Sequence, residues 1–173
     1  MEMSIGTIVT IVLSMTLLIG GIVLIKNILS SSNNVLDMTD SQLTSQINQF
    51  FGEGSKLVMY PNSKEVTTNV GETTAFAFGI KNTLIGSGQN NEFTYTTSVS
   101  DPGNCGVSES IINEWIILGK SGSVQVTHDD ISSVRVNLYI PDSAPLCTFR
   151  VQVVVNNDGV LYASDSMDIK IDS

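Results

Sequence analysis

Residues Met1 to Ile25, MEMSIGTIVTIVLSMTLLIGGIVLI, form an unbroken apolar run with one acid, Glu2, and no base before Lys26. From Ile5 to Ile25 an α-helix would rise about 31 Å, roughly the hydrocarbon thickness of a bilayer, so the run predicts a long N-terminal helix able to span one. Aliphatic residues occur at every phase of the helical turn. A helix that is apolar all round must be buried in lipid or among its own kind. A cleaved secretory signal fits poorly, because such a segment opens on basic residues that this run lacks. A bare apolar start is what remains when a peptidase removes a short basic leader and leaves the helix attached.

Small and hydroxylated residues are placed regularly inside the run. Gly6, Thr10 and Ser14 follow an i, i+4 row, and Thr7, Ser14 and Gly21 a seven-residue spacing. Both rows lie on neighbouring parts of one side. Small residues let helix backbones approach, and hydroxyls bond either across helices or back to the carbonyl four residues earlier, so this side suits helix packing better than contact with lipid. The simpler reading is that Gly, Ser and Thr are common in any transmembrane helix.

Over about its first 30 residues the chain resembles the archaellins and related archaeal type IV pilin-like proteins. Their mature N-termini carry a Gly-Ile-Gly-Thr-Leu-Ile-Val pattern before a long aliphatic run; here the segment reads Ser4-Ile5-Gly6-Thr7-Ile8-Val9-Thr10. Ser4 replaces the first glycine. Glu2 does not fall at the fifth mature position, where bacterial pilins keep a glutamate. The resemblance implies a subunit processed by a prepilin-type peptidase and handled by a type IV pilus-like assembly machinery. It would wait in the membrane and then join copies of itself in a helical filament, its N-terminal helix in the core. The alternative, from another functional class, is a monomeric single-pass membrane-anchored surface binding module.

Of the 173 residues, about 120 remain after the N-terminal helices, a normal size for one globular domain. The formal net charge is −9. So acidic a surface argues against nucleic acid and anionic membrane as ligands, since both are bound by clustered Lys and Arg. No Asn-x-Ser/Thr sequon occurs. The two cysteines, Cys105 and Cys147, read most simply as a disulfide if the domain lies outside the cell, the alternative being two buried thiols.

The polar stretch Ser30 to Asn34 predicts a break or kink after the first helix. Thr39-Asp40-Ser41-Gln42 then has the form of a capping box, with Met38 and Leu43 placed as a hydrophobic staple. Leu43, Ile47, Phe50 and Phe51 give a second, amphipathic helix one apolar face, expected to pack on the following domain and set its angle to the first helix. Gly52 and Gly54 end it. Three regions follow: 1–29, the transmembrane or filament-core helix; 30–55, linker and amphipathic helix; and 56–173, an all-β domain.

From Lys56 the period alternates. Strands are expected at 56–60, 65–70, 73–82, 91–100, 111–118, 123–127, 133–140, 148–155 and 160–171, the last with a break near Ser164. Turn residues separate them: Pro61-Asn62-Ser63, Gly86-Ser87-Gly88, Asp101-Pro102-Gly103-Asn104, Gly119-Lys120-Ser121-Gly122 and Asn156-Asn157-Asp158-Gly159. The last of these marks a hairpin linking the two C-terminal strands. Alternation at Phe76, Phe78, Ile80 and at Val134, Val136, Leu138, Ile140 places one face in a core and the other in water. Ile140 to Val151 resembles the penultimate strand-turn-strand of extracellular immunoglobulin-like modules, with Cys147-Thr148-Phe149 where those have Gly-Thr-Tyr. The expected fold is therefore α+β, a long hydrophobic helix followed by an immunoglobulin-like β-sandwich.

Catalytic chemistry finds little support. His128 stands with Asp129 and Asp130 between two strands, which reads as a solvated turn. Glu109 with Glu114 and Asp165 with Asp168 are acidic pairs without EF-hand spacing. No phosphate loop, nucleophile elbow or His/Cys cluster is present, and Trp115 reads as a core residue. No enzyme activity, cofactor or metal is expected.

Overall fold

The computed structural model describes residues 5–29, 32–85 and 91–172, the side chains of the first helix being described at 6 and 9–20. Two compact units divide the chain, Met1–Ser31 and Ser32–Ser173. The first holds α1 (Ile5–Leu29). Glu2, Ser4, Ser30, Ser31 and the Gly86-Ser87-Gly88 turn lie outside the described residues, as do the side chains of Thr7, Gly21 and Lys26.

The second unit begins with α2 (Ser32–Asp37) and α3 (Asp40–Asn48). α1 ends at Leu29 and α2 opens at Ser32, inside the polar stretch expected to break the first helix, and Val35 of α2 is fully buried against the sheet residues Ala75 and Ala77. α3 starts at the expected capping box: the Thr39 hydroxyl accepts from the Gln42 backbone N–H at 3.4 Å, and Gln42 Oε1 accepts from the Thr39 N–H at 3.0 Å. Leu43 and Ile47 are buried as the periodicity requires. Phe50 and Phe51 lie beyond the helix end, where Phe50 is exposed and Phe51 half-buried.

Nine strands follow: β1 (Leu57–Tyr60), β2 (Glu65–Asn69), β3 (Thr73–Lys81), β4 (Glu92–Asp101), β5 (Ile116–Leu118), β6 (Ser121–Gln125), β7 (Ile131–Tyr139), β8 (Thr148–Asn157) and β9 (Val160–Asp172), with α4 (Glu109–Glu114) before β5. They form two sheets, ordered β1-β3-β7-β5 and β2-β9-β8-β4-β6. With β1 and β2 taken as the two parts of the first strand, this is A-B-E on one side and A′-G-F-C on the other, β5 and β6 completing the edges. That is the immunoglobulin-like arrangement of a β-sandwich. Phe76, Phe78 and Ile80 of β3, Val136 and Leu138 of β7, and Phe149, Val151, Val153 and Val155 of β8 fill the space between the sheets.

β3 is buried on both faces. Its core side alternates with Ala75, Ala77 and Gly79, small residues beneath α2 and α3. A Cβ added at Gly79 would meet the Ile47 and Phe51 side chains, so the glycine is the seat on which α3 rests. The Thr44 hydroxyl, 2.6 Å from that of Ser133, and an Arg135 guanidinium donating to the Met38 carbonyl fix the same contact.

Four expectations are corrected. Among the described residues strand clearly outweighs helix, so the chain is mostly β rather than α+β. A long hydrophobic helix of membrane length is not part of that class: among the described residues no helix is long and apolar enough to cross a membrane. Residues 111–118 are not one strand: 109–114 coil into α4 so that Ile112 and Trp115, three apart, both reach the core, and only Ile116–Leu118 pair with β7. β9 is continuous through Ser164, the irregularity falling in the pairing at Val155 and Asn156.

Candidate functional site

On α1 the aliphatic side chains point outward on every side. Val9, Ile11, Val12, Leu13, Met15, Leu17, Leu18 and Ile19 are each at least half exposed. Thr10, Ile11, Ser14, Met15, Leu18 and Ile19 make one continuous strip along the helix. Inside that strip the hydroxyls are already engaged: Thr10 Oγ1 donates to the Gly6 carbonyl at 2.7 Å and Ser14 Oγ to the Thr10 carbonyl at 2.8 Å. Thr16, on another side, donates to the Val12 and Leu13 carbonyls. Of the two uses open to these hydroxyls, the structure places them back on their own helix. The strip therefore offers small, hydrogen-bonded positions between aliphatic ones and can meet an apolar neighbour without stranding a donor. Gly6, Thr10 and Ser14 are brought together as the i, i+4 row requires; Thr7 and Gly21 lie outside the described side chains.

Cys105 and Cys147 are bonded, both 4% exposed. The bridge ties the turn after β4 to the residue before β8, within one sheet rather than across the two, and beside it the Thr148 N–H donates to Asn104 Oδ1 at 2.9 Å. Glycine is required at 103, where φ is +58° and a Cβ would run into the Thr148 carbonyl. A disulfide fits an oxidising, extracytoplasmic setting.

The acidic pairs do not converge. Asp168 takes two hydrogen bonds from Arg150, at 2.6 and 2.9 Å, across the β8–β9 ladder. The hydrogen bond from Arg150 holds the Asp168 carboxyl below its usual range, and Asp168 raises the guanidinium in return. Asp165 pairs instead with Lys64 at 2.7 Å. The depression around Asp101, Gly103, Thr148, Phe149, Arg150 and Asp168 holds only about 100 Å³. His128 is half exposed, its Nε2 3.6 Å from the Asp129 carboxylate in a turn where Asp129 adopts φ +62°. Among the described residues no three His, Cys, Asp or Glu side chains are grouped so as to hold a metal ion.

Two exposed features of the sandwich were not legible as such. Ile117 and Leu118, read as interior positions of a longer strand, stand 58% and 54% exposed at a sheet edge. The signal was present in Ser108-Glu109 ahead of Ile112 and Trp115, a helix start followed by three-residue spacing. Val160 and Leu161, after the hairpin turn, are likewise exposed.

No protein-family model matches the chain, and no curated protein matches it. Among solved structures it is similar to the CARDB domain of a Pyrococcus furiosus protein in complex with di-metal ions, at 10% identity and a TM-score of 0.44 over 67% of this chain and 87% of that one. It is also similar to PapD-like domain 7 of human CEP192, at 14% identity and a TM-score of 0.43 over 71% and 92%. A family 123 glycoside hydrolase from Clostridium perfringens gives 15% identity and a TM-score of 0.40 over 62% of this chain and 22% of the enzyme. Such likeness assigns neither ligand nor activity.

Proposed function

We propose that the chain is a structural subunit of an archaeal type IV pilus-like extracellular filament, an archaellum or an adhesive pilus, which polymerises through α1. One observation carries the reading: Val9 through Ile19 expose aliphatic side chains on every side of one helix. Water is the wrong solvent for such a surface. Burying it against copies of itself removes about 25 cal/mol for each Å² of apolar area taken from water. The back-bonded Thr10 and Ser14 hydroxyls support close approach between helices, because neither donor is left to be satisfied by a neighbour. Contacts between unlike surfaces that do not close on themselves extend without limit, as a filament requires.

The membrane-stored stage, the prepilin-type peptidase and the assembly machinery enter this reading from the N-terminal resemblance. The disulfide supports an extracellular destination. On this reading the chain is not an enzyme, and its partners are further copies of itself.

Negative-stain microscopy of sheared cell-surface material tests the proposal. Filaments containing this chain are expected, and Gly6→Leu should thin or abolish them by blocking close approach. Recovery of the chain only as monomer in membrane vesicles would overturn it.

A further inference from the structure

β5 closes one edge of the first sheet. Its register against β7 slips between Ile116 and Leu118, so that Leu118 stands opposite Asn137 while Ile116 stands opposite Leu138. Ile117 and Leu118 are both more than half exposed, and Tyr139, two residues along β7 from Asn137 and hence on the same face, is 41% exposed. The buried amide oxygen of Asn137, the residue opposite Leu118, finds no hydrogen-bond partner among the described residues. Elsewhere on this sheet α2 and α3 already cover the outer side over Ala75 and Ala77. β5 itself carries no charge, whereas a free apolar edge is ordinarily blunted by Lys or Pro. A second apolar feature sits on the other sheet. The β8–β9 hairpin turns at Asp158 and Gly159, both at positive φ, and presents Val160 and Leu161 at 70% and 62% exposure.

We propose that these two features are the opposite halves of one contact between successive copies of the chain, the strip of Ile117, Leu118 and Tyr139 on one copy receiving Val160 and Leu161 of the next. The inference rests on the reading of α1 as the assembly element. A second copy is the fitting occupant for two reasons. The exposed side chains of both halves are apolar and they belong to different sheets of one molecule, so the contact is head-to-tail and need not close. Each half also exposes only on the order of 300 Å² of apolar surface, against about 800 Å² per partner in a stable dimer. Sandwiches on their own therefore stay apart, and the contact forms where α1 has already raised the local concentration of its neighbour.

The test uses the full chain, with Leu118→Glu, Leu161→Lys and the two combined, scoring sedimented polymer from sheared cells and the thermal midpoint of each variant. Both positions are exposed, so each variant should melt near the wild type. Each single substitution should lower polymer yield about tenfold, and the combined chain, which sets Glu against Lys at every contact, should recover most of it. Wild-type polymer with single variants that assemble equally well removes this contact and leaves assembly through α1 intact. Single variants that fail without recovery in the combined chain show that the two surfaces do not meet. Wild-type chain that never sediments removes the assembly reading and this contact with it.

Discussion

The indole of Trp115 stands edge-on to the ring of Phe149, their centroids 5.7 Å apart and their planes at 76°. Through this contact α4 is held against β8, two residues from the disulfide. Phe149 is 1% exposed and Trp115 7%. Removing the smaller ring takes away one edge-to-face partner and leaves a cavity between sheets that cannot both move in. Phe149→Ala should lower stability by about 3–5 kcal/mol. Urea unfolding followed by the fluorescence of Trp115, the one tryptophan of the chain, measures this, and a change under about 1 kcal/mol would show that the core relaxes around the gap.

The bridge between Cys105 and Cys147 closes a loop with a sequence separation of 42 residues. In the chain-entropy model a closure of that length stabilises by about 4 kcal/mol, by restricting the unfolded chain. Cys105→Ser with Cys147→Ser should lose about that amount, and mass spectrometry of non-reduced peptides should find the two cysteines linked. Free thiols in the native protein would remove both the linkage and part of the case for an oxidising location.

Much of the sandwich is legible because its turns and its alternation agree. Asp158-Gly159 supplies the two positive φ values that a two-residue hairpin demands, and β8 and β9 follow on either side. The capping box at Thr39 locates α3 in the same way. Residues 111–114 read as strand because Ile111 and Ile112 carry strand-forming side chains, while tertiary contact turns Ile112 and Trp115 together into the core. The cover over β3 had a readable trace in the alternation of Phe76, Phe78 and Ile80 with Ala75, Ala77 and Gly79, since small residues on an outer face make room for a helix. On α1 the spacing of Gly6, Thr10 and Ser14 showed which side is small. It did not show which carbonyls the hydroxyls choose, because that depends on rotamers rather than on spacing.

Strand register places Asp168 between Arg150 of β8 and Glu65 of β2. The hydrogen bond from Arg150 depresses the carboxyl pKa in the folded state. A depressed carboxylate contributes stability that is present above its unfolded pKa and is lost as pH falls through the folded value. The gap in melting temperature between wild type and Asp168→Asn should therefore be small but measurable near neutral pH and should close in acid, below the ordinary carboxylate range. High salt should narrow it as well, since both groups are partly solvated. A gap of the same size at every pH would trace the loss to packing rather than to the ion pair.

If copies of the chain are joined through α1, the joining surface contains no charge over its described length: Val9 through Gly20 are aliphatic, hydroxylated or glycine. No aromatic residue precedes Phe50 either, so such a core would transmit load and offer no stacked rings along which electrons could pass. Charges on the sandwich, by contrast, sum with the rest of the chain to a net of −9 and repel between neighbours unless they are screened. Molar salt shortens the screening length to about 3 Å and strengthens burial of apolar surface where the salt is excluded from it, so filaments should persist there. Detergent, which solvates the aliphatic surface directly, should dissolve them into monomers. Sedimentation of sheared filaments across the two series separates the terms. Dissolution in salt together with survival in detergent would show that contacts between the acidic sandwiches, rather than α1, hold the polymer together.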